Sequence, residues 1–242
     1  MPSNQPSGSA AASFLCSSAA PRVLPFASLM VLIGVEEVLR ALTTRGIVPF
    51  PPGWFLFLYP VRIIIAGAVL AFCLKRCDEL HLSDLRRPLH AAASVATGFA
   101  VYVLWVGMDW LLPFQSPPPG FDPTGIGNDA LRMSMIIVRL LGAALIIPVL
   151  EELFWRSFLL RYLIDKEFET VPIGKLTWPA FFFSTILFGL EHHYIVAGIM
   201  AGIAYTLLLR FTGSIVLCIL AHAVTNLALG LHVISRQAWH FW

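Results

Sequence analysis

The stretch MSMIIVRLLGAALIIPVLEELFWR, residues 133–156, decides how the rest of the chain is read. From Met133 to Leu150 it carries a single charge, Arg139. An apolar run of about 20 residues is what an α-helix needs to cross the hydrocarbon of a bilayer. The run then meets the acid pair Glu151-Glu152, followed by Arg156. An ionisable side chain near the bilayer centre costs about 2.5 to 3.5 kcal/mol on insertion scales, so such groups mark functional positions by default.

Two more polar islands lie further along the chain, Phe188 to His192 and His222 to Asn226, each inside an apolar run. The runs fall at about 23–43, 54–75, 88–112, 129–148, 178–192, 194–210 and 214–234. An eighth helical piece, Glu151 to Ile164, follows Pro148, which either kinks one long helix or separates two. The 242 residues are 58% hydrophobic and 12% charged, against about 25% charged in soluble domains. Mean hydropathy is +0.79. The chain reads as an all-α, polytopic integral membrane bundle of seven or eight transmembrane helices, with a polar cavity among the C-terminal helices.

Residues 1–22, rich in Ser, Ala and Pro, read as a disordered N-terminal tail, and 23–242 as one transmembrane domain with its motif-bearing core at 129–234. Lys75, Arg76, Arg86 and Arg87 place their loop, and the N-terminus with it, in the cytosol. The loop from Pro117 to Gly127 has no lysine or arginine and belongs on the other side. A net charge of +2 without a contiguous basic patch argues against a nucleic-acid partner. Cys16, Cys73, Cys77 and Cys218 are dispersed without a zinc or disulfide spacing, and packing is the expected role of Cys73 and Cys77.

Successive residues of a helix point about 100° apart, so Glu151 and Glu152 have different partners. Arg156 stands four after Glu152, the spacing of an ion pair on one helix face. Glu151 is then free of a built-in counter-charge, and a partly desolvated carboxylate suits a general base acting on water. His222 and Asn226, also four apart, present two hydrogen-bond donors on one face, the arrangement of an oxyanion site. Phe188 repeats that spacing to His192, so the ring can pack beneath the imidazole. His193 reads as an interfacial or helix-end residue, and Glu191 likewise, or as a support behind the reacting groups. Glu36, Glu37 and Arg40 do not match the EExxxR pattern, because the arginine stands one place too early, and they read as charges that pair within the bundle or lie near its edge.

The ordered trio EExxxR, FxxxH and HxxxN resembles the three motifs of the CPBP family, the CAAX proteases and bacteriocin-processing proteins also called ABI. The resemblance extends to the type II CaaX prenyl endopeptidases, and the chain's shortness is similar to the bacterial branch. It implies eight membrane helices around a cavity opening to the cytosol of a bacterial inner membrane. It also implies an intramembrane endopeptidase in which Glu151 activates water, His192 holds it, and His222 with Asn226 binds the oxyanion. Glu152, Arg156 and Phe188 would be supporting groups. The substrate so implied is a membrane-associated or lipidated protein. In this family a glycine commonly follows the motif arginine, where this chain has Ser157.

No cofactor is expected. Zinc is the alternative reading of two histidines and a glutamate, although the chain lacks HExxH. A non-catalytic scaffold or immunity-type protein that keeps the pocket for binding is the second functional reading, and an ion-coupled transporter the third.

Overall fold

The computed structural model describes residues 10–115 and 120–242, and these form helices and connections without a strand. After a short helix α1 (Ala10–Cys16), seven long ones follow. They are α2 (Ala20–Thr44), α3 (Leu58–Leu74), α4 (Pro88–Val106), α5 (Asp129–Tyr162), α6 (Trp178–Leu190), α7 (Ile195–Thr212) and α8 (Ile215–Arg236). Five segments are long and apolar enough to cross a membrane: α4, α5, α7, α8, and α3 with the turn that leads into it, Pro52–Leu74. Helix α2 is long enough but carries Glu36, Glu37 and Arg40, and α6 has only 13 residues. The multi-pass helical membrane fold is therefore present.

Residues 10–16 and 20–22 are helical, and Pro21 in the first turn of α2 suits a helix start that needs no N–H there. Residues 1–9 lie outside the described part. Of the two alternatives open at Pro148, one long helix is the one formed. Helix α5 runs unbroken for 34 residues, about 51 Å at 1.5 Å per residue. Proline inside a helix removes an N–H and crowds the carbonyl four residues back. A widened π-type stretch, Gly142–Ile146, lies immediately before Pro148 and gives the ring room, so the helix continues through it.

Contacts between connections define the two ends of the bundle. At one end Arg22 of α2 holds Glu79, Arg87 donates to the Thr212 carbonyl 3.0 Å away, and Arg161 donates to the Val171 carbonyl at 2.8 Å. At the other end Phe121 N–H bonds the Trp239 carbonyl at 3.3 Å, and the Gln115 amide bonds the His193 carbonyl at 2.5 Å. The outer faces carry Phe72, Leu89, Phe183 and Phe211, all more than half exposed. Such residues suit lipid, and the backbone polar groups beneath them are satisfied within each helix.

The interior is closed by small residues. A Cβ on Gly98 of α4 would stand 2.3 Å from the Ala221 carbonyl of α8, and one on Gly189 of α6 would stand 2.8 Å from the Ile199 backbone nitrogen of α7. Close helix approach through small residues is the usual membrane solution. Here it brings the turn after α6 and the middle of α8 up against α5.

Candidate active site

Glu151 and Glu152 lie in the middle of α5, between two π-type stretches, Gly142–Ile146 and Leu153–Leu159. Wide turns of this kind recur at functional sites because they re-aim side chains by one residue. Both acids are buried, and Glu152 is fully enclosed.

Glu152 Oε1 accepts from Arg156 Nη1 at 3.1 Å, as the four-residue spacing requires. The same oxygen lies 2.9 Å from His222 Nδ1, a contact between α5 and α8 that spacing alone does not reveal. The Arg156 guanidinium also donates to the Gly202 carbonyl at 3.4 Å and sits 4.2 Å above the Phe188 ring. Glu152 thus joins the arginine to the histidine, at no exposure to solvent. A buried carboxylate without such partners would carry a large desolvation cost.

Glu151 occupies the adjoining face. Its Oε2 is 3.9 Å from His222 Nε2 and, among the described residues, has no hydrogen-bond partner. His192 Nδ1 lies 2.7 Å from the Phe188 carbonyl, which only accepts, so Nδ1 donates there and Nε2 is left for another partner. The Phe188 ring, 4.8 Å away, packs under this imidazole, and the Trp105 ring meets it at 5.3 Å. Asn226 gives one amide N–H to the Ala143 carbonyl at 2.8 Å, inside the first π stretch, and keeps a second N–H for another acceptor.

All four residues expected to act, Glu151, His192, His222 and Asn226, line one cavity of about 330 Å³, together with Phe188. The structure turns Glu191, named from the sequence as a helix-end or supporting residue, into the site, and adds Tyr205, which the sequence did not single out. Glu191 turns inward, accepts from Trp155 Nε1 at 3.1 Å, and brings a carboxylate within 4.8 Å of both Glu151 and His192. Tyr205 stacks on His222 at 4.9 Å, its hydroxyl tied to Thr225 at 2.8 Å. The first sits at a helix end, and the second is one tyrosine in an apolar helix. Neither carries a spacing signal.

Glu151, Glu191 and His192 are the residues that could hold a cation, and two carboxylates with an imidazole are donors that zinc accepts. Ser157, at the position where glycine is usual, is buried and donates to Glu79 Oε1, so the departure connects α5 to the α3–α4 loop. Glu36 pairs with Arg40 and Arg62 at 2.7 Å each, on the lining of the same cavity. Cys73, Cys77 and Cys218 are buried thiols, as packing requires, and Cys16 is exposed.

Fold and site together define a multi-pass helical membrane protein that encloses a cluster of ionisable groups. Residues 133–228 match the model of the family described as "Type II CAAX prenyl endopeptidase Rce1-like". The resemblance drawn from the three motifs is thereby shown, and at family level it supports a membrane endopeptidase of CAAX-protease type. Comparisons with curated proteins and with solved structures gave no match.

Proposed function

We propose that the protein is a glutamate-dependent intramembrane endopeptidase that hydrolyses a peptide bond of a membrane-associated or lipidated protein. Glu151 takes a proton from water while His192 Nε2 accepts a hydrogen bond from the same molecule and orients it. The hydroxide adds to the scissile carbonyl. The second N–H of Asn226 and the His222 ring face the oxygen that becomes negative. Glu152 Oε1, 2.9 Å from His222 Nδ1, fixes the orientation of that ring toward the cavity. Glu151 then returns the proton to the departing amine, which closes the cycle.

The observation that carries this reading is the division of labour between the adjacent acids. Glu152 gives its Oε1 to Arg156 and His222 together and does not line the cavity, whereas Glu151, with no hydrogen bond to either oxygen among the described residues, borders it. A scaffold that only binds would gain nothing from a buried, unpartnered carboxylate. The test compares protein termini in host membranes that express the wild type or Glu151→Gln at matched levels. Termini found only with the wild type are expected and would name the substrate. Identical termini with both would favour the binding scaffold.

A further inference from the structure

Helices α4 and α7 leave a groove between them on the outside of the bundle, lined by none of the residues around Glu151. Each helix is drawn toward a different neighbour. Gly98 brings α4 against α8, and Gly198 brings α7 against α6, where a Cβ would stand 2.9 Å from Gly189 Cα. The space left between α4 and α7 is about 340 Å³. Ala93, Thr97 and Ala100 of α4 and Ala204 of α7 give it a shallow floor, with Leu104 toward one end and Phe211 toward the other. Apart from Thr97 the lining is apolar. Along α4 it runs from Ala93 to Leu104, about 17 Å at 1.5 Å per residue, close to the ~15 Å depth of one hydrocarbon leaflet.

One end of the groove has a polar mouth. The stripe of α4 that lines the floor continues from Ala93 in three-residue steps to His90 and Arg87, toward the Arg22–Glu79 end of the bundle. The His90 ring meets the Phe211 ring edge to face, with centroids 5.0 Å apart. Its Nδ1 is covered, which leaves Nε2 as the nitrogen able to meet a ligand. Arg87 Nη1 donates to the Thr212 carbonyl, one residue past Phe211, and Asp84 is 4.0 Å from the same nitrogen. Its Nε and Nη2 have no hydrogen-bond partner among the described residues. Arg86 and Arg210 are exposed at this end as well. Three arginines against one carboxylate leave the mouth positive.

We propose that this groove holds one anionic phospholipid from the leaflet at the basic end. An acyl chain lies over Ala100 between the two helices, and the phosphate meets Arg87 and His90 Nε2. A guanidinium suits phosphate in two-point geometry, and basic pockets between helices on the cytosolic side suit anionic headgroups. The positive-inside rule puts this end in the cytosol, where the membrane surface is anionic. A second copy of the chain seated in the groove in the same orientation would set two arginine clusters against each other, which the lipid does not. The site is independent of the proposed peptidase chemistry.

Native mass spectrometry of the full-length protein in detergent tests it, with phosphatidylglycerol and phosphatidylcholine of identical chains added at equal concentration. One phosphatidylglycerol should be retained, about tenfold more tightly than phosphatidylcholine, the scale of one or two basic side chains at a headgroup. Arg87→Gln should remove that preference and leave phosphatidylcholine binding as it was. Ala100→Trp fills the groove from an exposed position and should abolish retention of both lipids. If Arg87→Gln does not fold, Ala100→Trp decides alone. Equal retention of the two lipids by the wild type overturns the proposal, and so does phosphatidylglycerol that stays bound to Ala100→Trp. A dimer that Ala100→Trp dissolves would assign the groove to a second copy and overturn it too.

Discussion

Glu152, not its neighbour Glu151, holds His222: its Oε1 lies 2.9 Å from His222 Nδ1. Arg156 is the other partner of that oxygen, at 3.1 Å. Glu152→Ala therefore leaves a buried guanidinium without its carboxylate, a loss of about 3 to 5 kcal/mol of stability. Glu152→Gln keeps the shape and one acceptor, so the fold should survive. Its turnover should fall on the order of a hundredfold, because the amide no longer holds the His222 ring in its orientation as the shared carboxylate oxygen does. Thermal unfolding and kcat measured on both variants separate the two effects. Wild-type turnover in Glu152→Gln would reduce Glu152 to a structural role.

Glu151, Glu191 and His192 bring their donor atoms within 4.8 Å of one another. Zinc would draw these three donors to about 2.0 to 2.2 Å from itself, whereas the proposed chemistry needs only Glu151 and water. Cleavage should therefore persist after prolonged treatment with a strong chelator, with metal content followed by mass spectrometry. Activity that is lost and then restored by zinc would show that these three residues close around a metal.

Much of the site was legible because helix spacing is a local rule. The pairs Glu152–Arg156 and Phe188–His192 stand four apart and meet as that rule requires. Contacts between helices were not legible. Nothing in the spacing says that Glu152 reaches His222 across to α8, or that Glu191 turns inward to Trp155. The number of helices was open for a physical reason as well. Pro148 permits a break or a kink, and the choice depends on the π stretch before it, which has no signature in composition.

Arg22, Glu79 and Ser157 form a cluster outside the membrane-spanning helices' apolar centre, and it gives a pH dependence with a definite sign. Burial opposes the charge on Glu79, but hydrogen bonds from Arg22, at 2.6 Å and 2.8 Å, and from Ser157 outweigh it and hold the carboxyl below its usual range. The unfolded chain then takes up the proton first as pH falls. The stabilisation is complete above the unfolded value of about 4.3 and is lost as pH drops through the lower folded value. Unfolding temperature in detergent should be flat from neutrality to about pH 5 and decline below it, and Glu79→Gln should remove much of that decline. Ser157→Gly, which installs the residue common in the family, should cost about 1 to 3 kcal/mol. An unchanged acid profile in Glu79→Gln would place the acid-sensitive group elsewhere.

Two expectations about the membrane conflict once the cavity is located. The connections at the Arg22–Glu79 end, 75–87 and 163–177, contain six lysines and arginines, whereas 45–57, 107–128, 191–194 and 237–242 contain only Arg45. The positive-inside rule puts the first end in the cytosol. The cavity, however, runs from Glu151 toward Gly120, Phe121, Phe241 and Trp242 at the opposite end, whereas the family resemblance implies a cytosolic opening. The charge bias acts directly on insertion, so we expect the cavity mouth to face away from the cytosol. Exposed Cys16 provides a native reporter at the basic end, where Arg76 contacts the Ser17 carbonyl at 2.9 Å, and the other thiols are buried. A membrane-impermeant maleimide should label Cys16 only after the cells are permeabilised. In a Cys16→Ser background, Glu37→Cys, exposed on the cavity lining, should be labelled in intact cells. The opposite pattern would show that the loop charges do not set the orientation and that substrate enters from the cytosol.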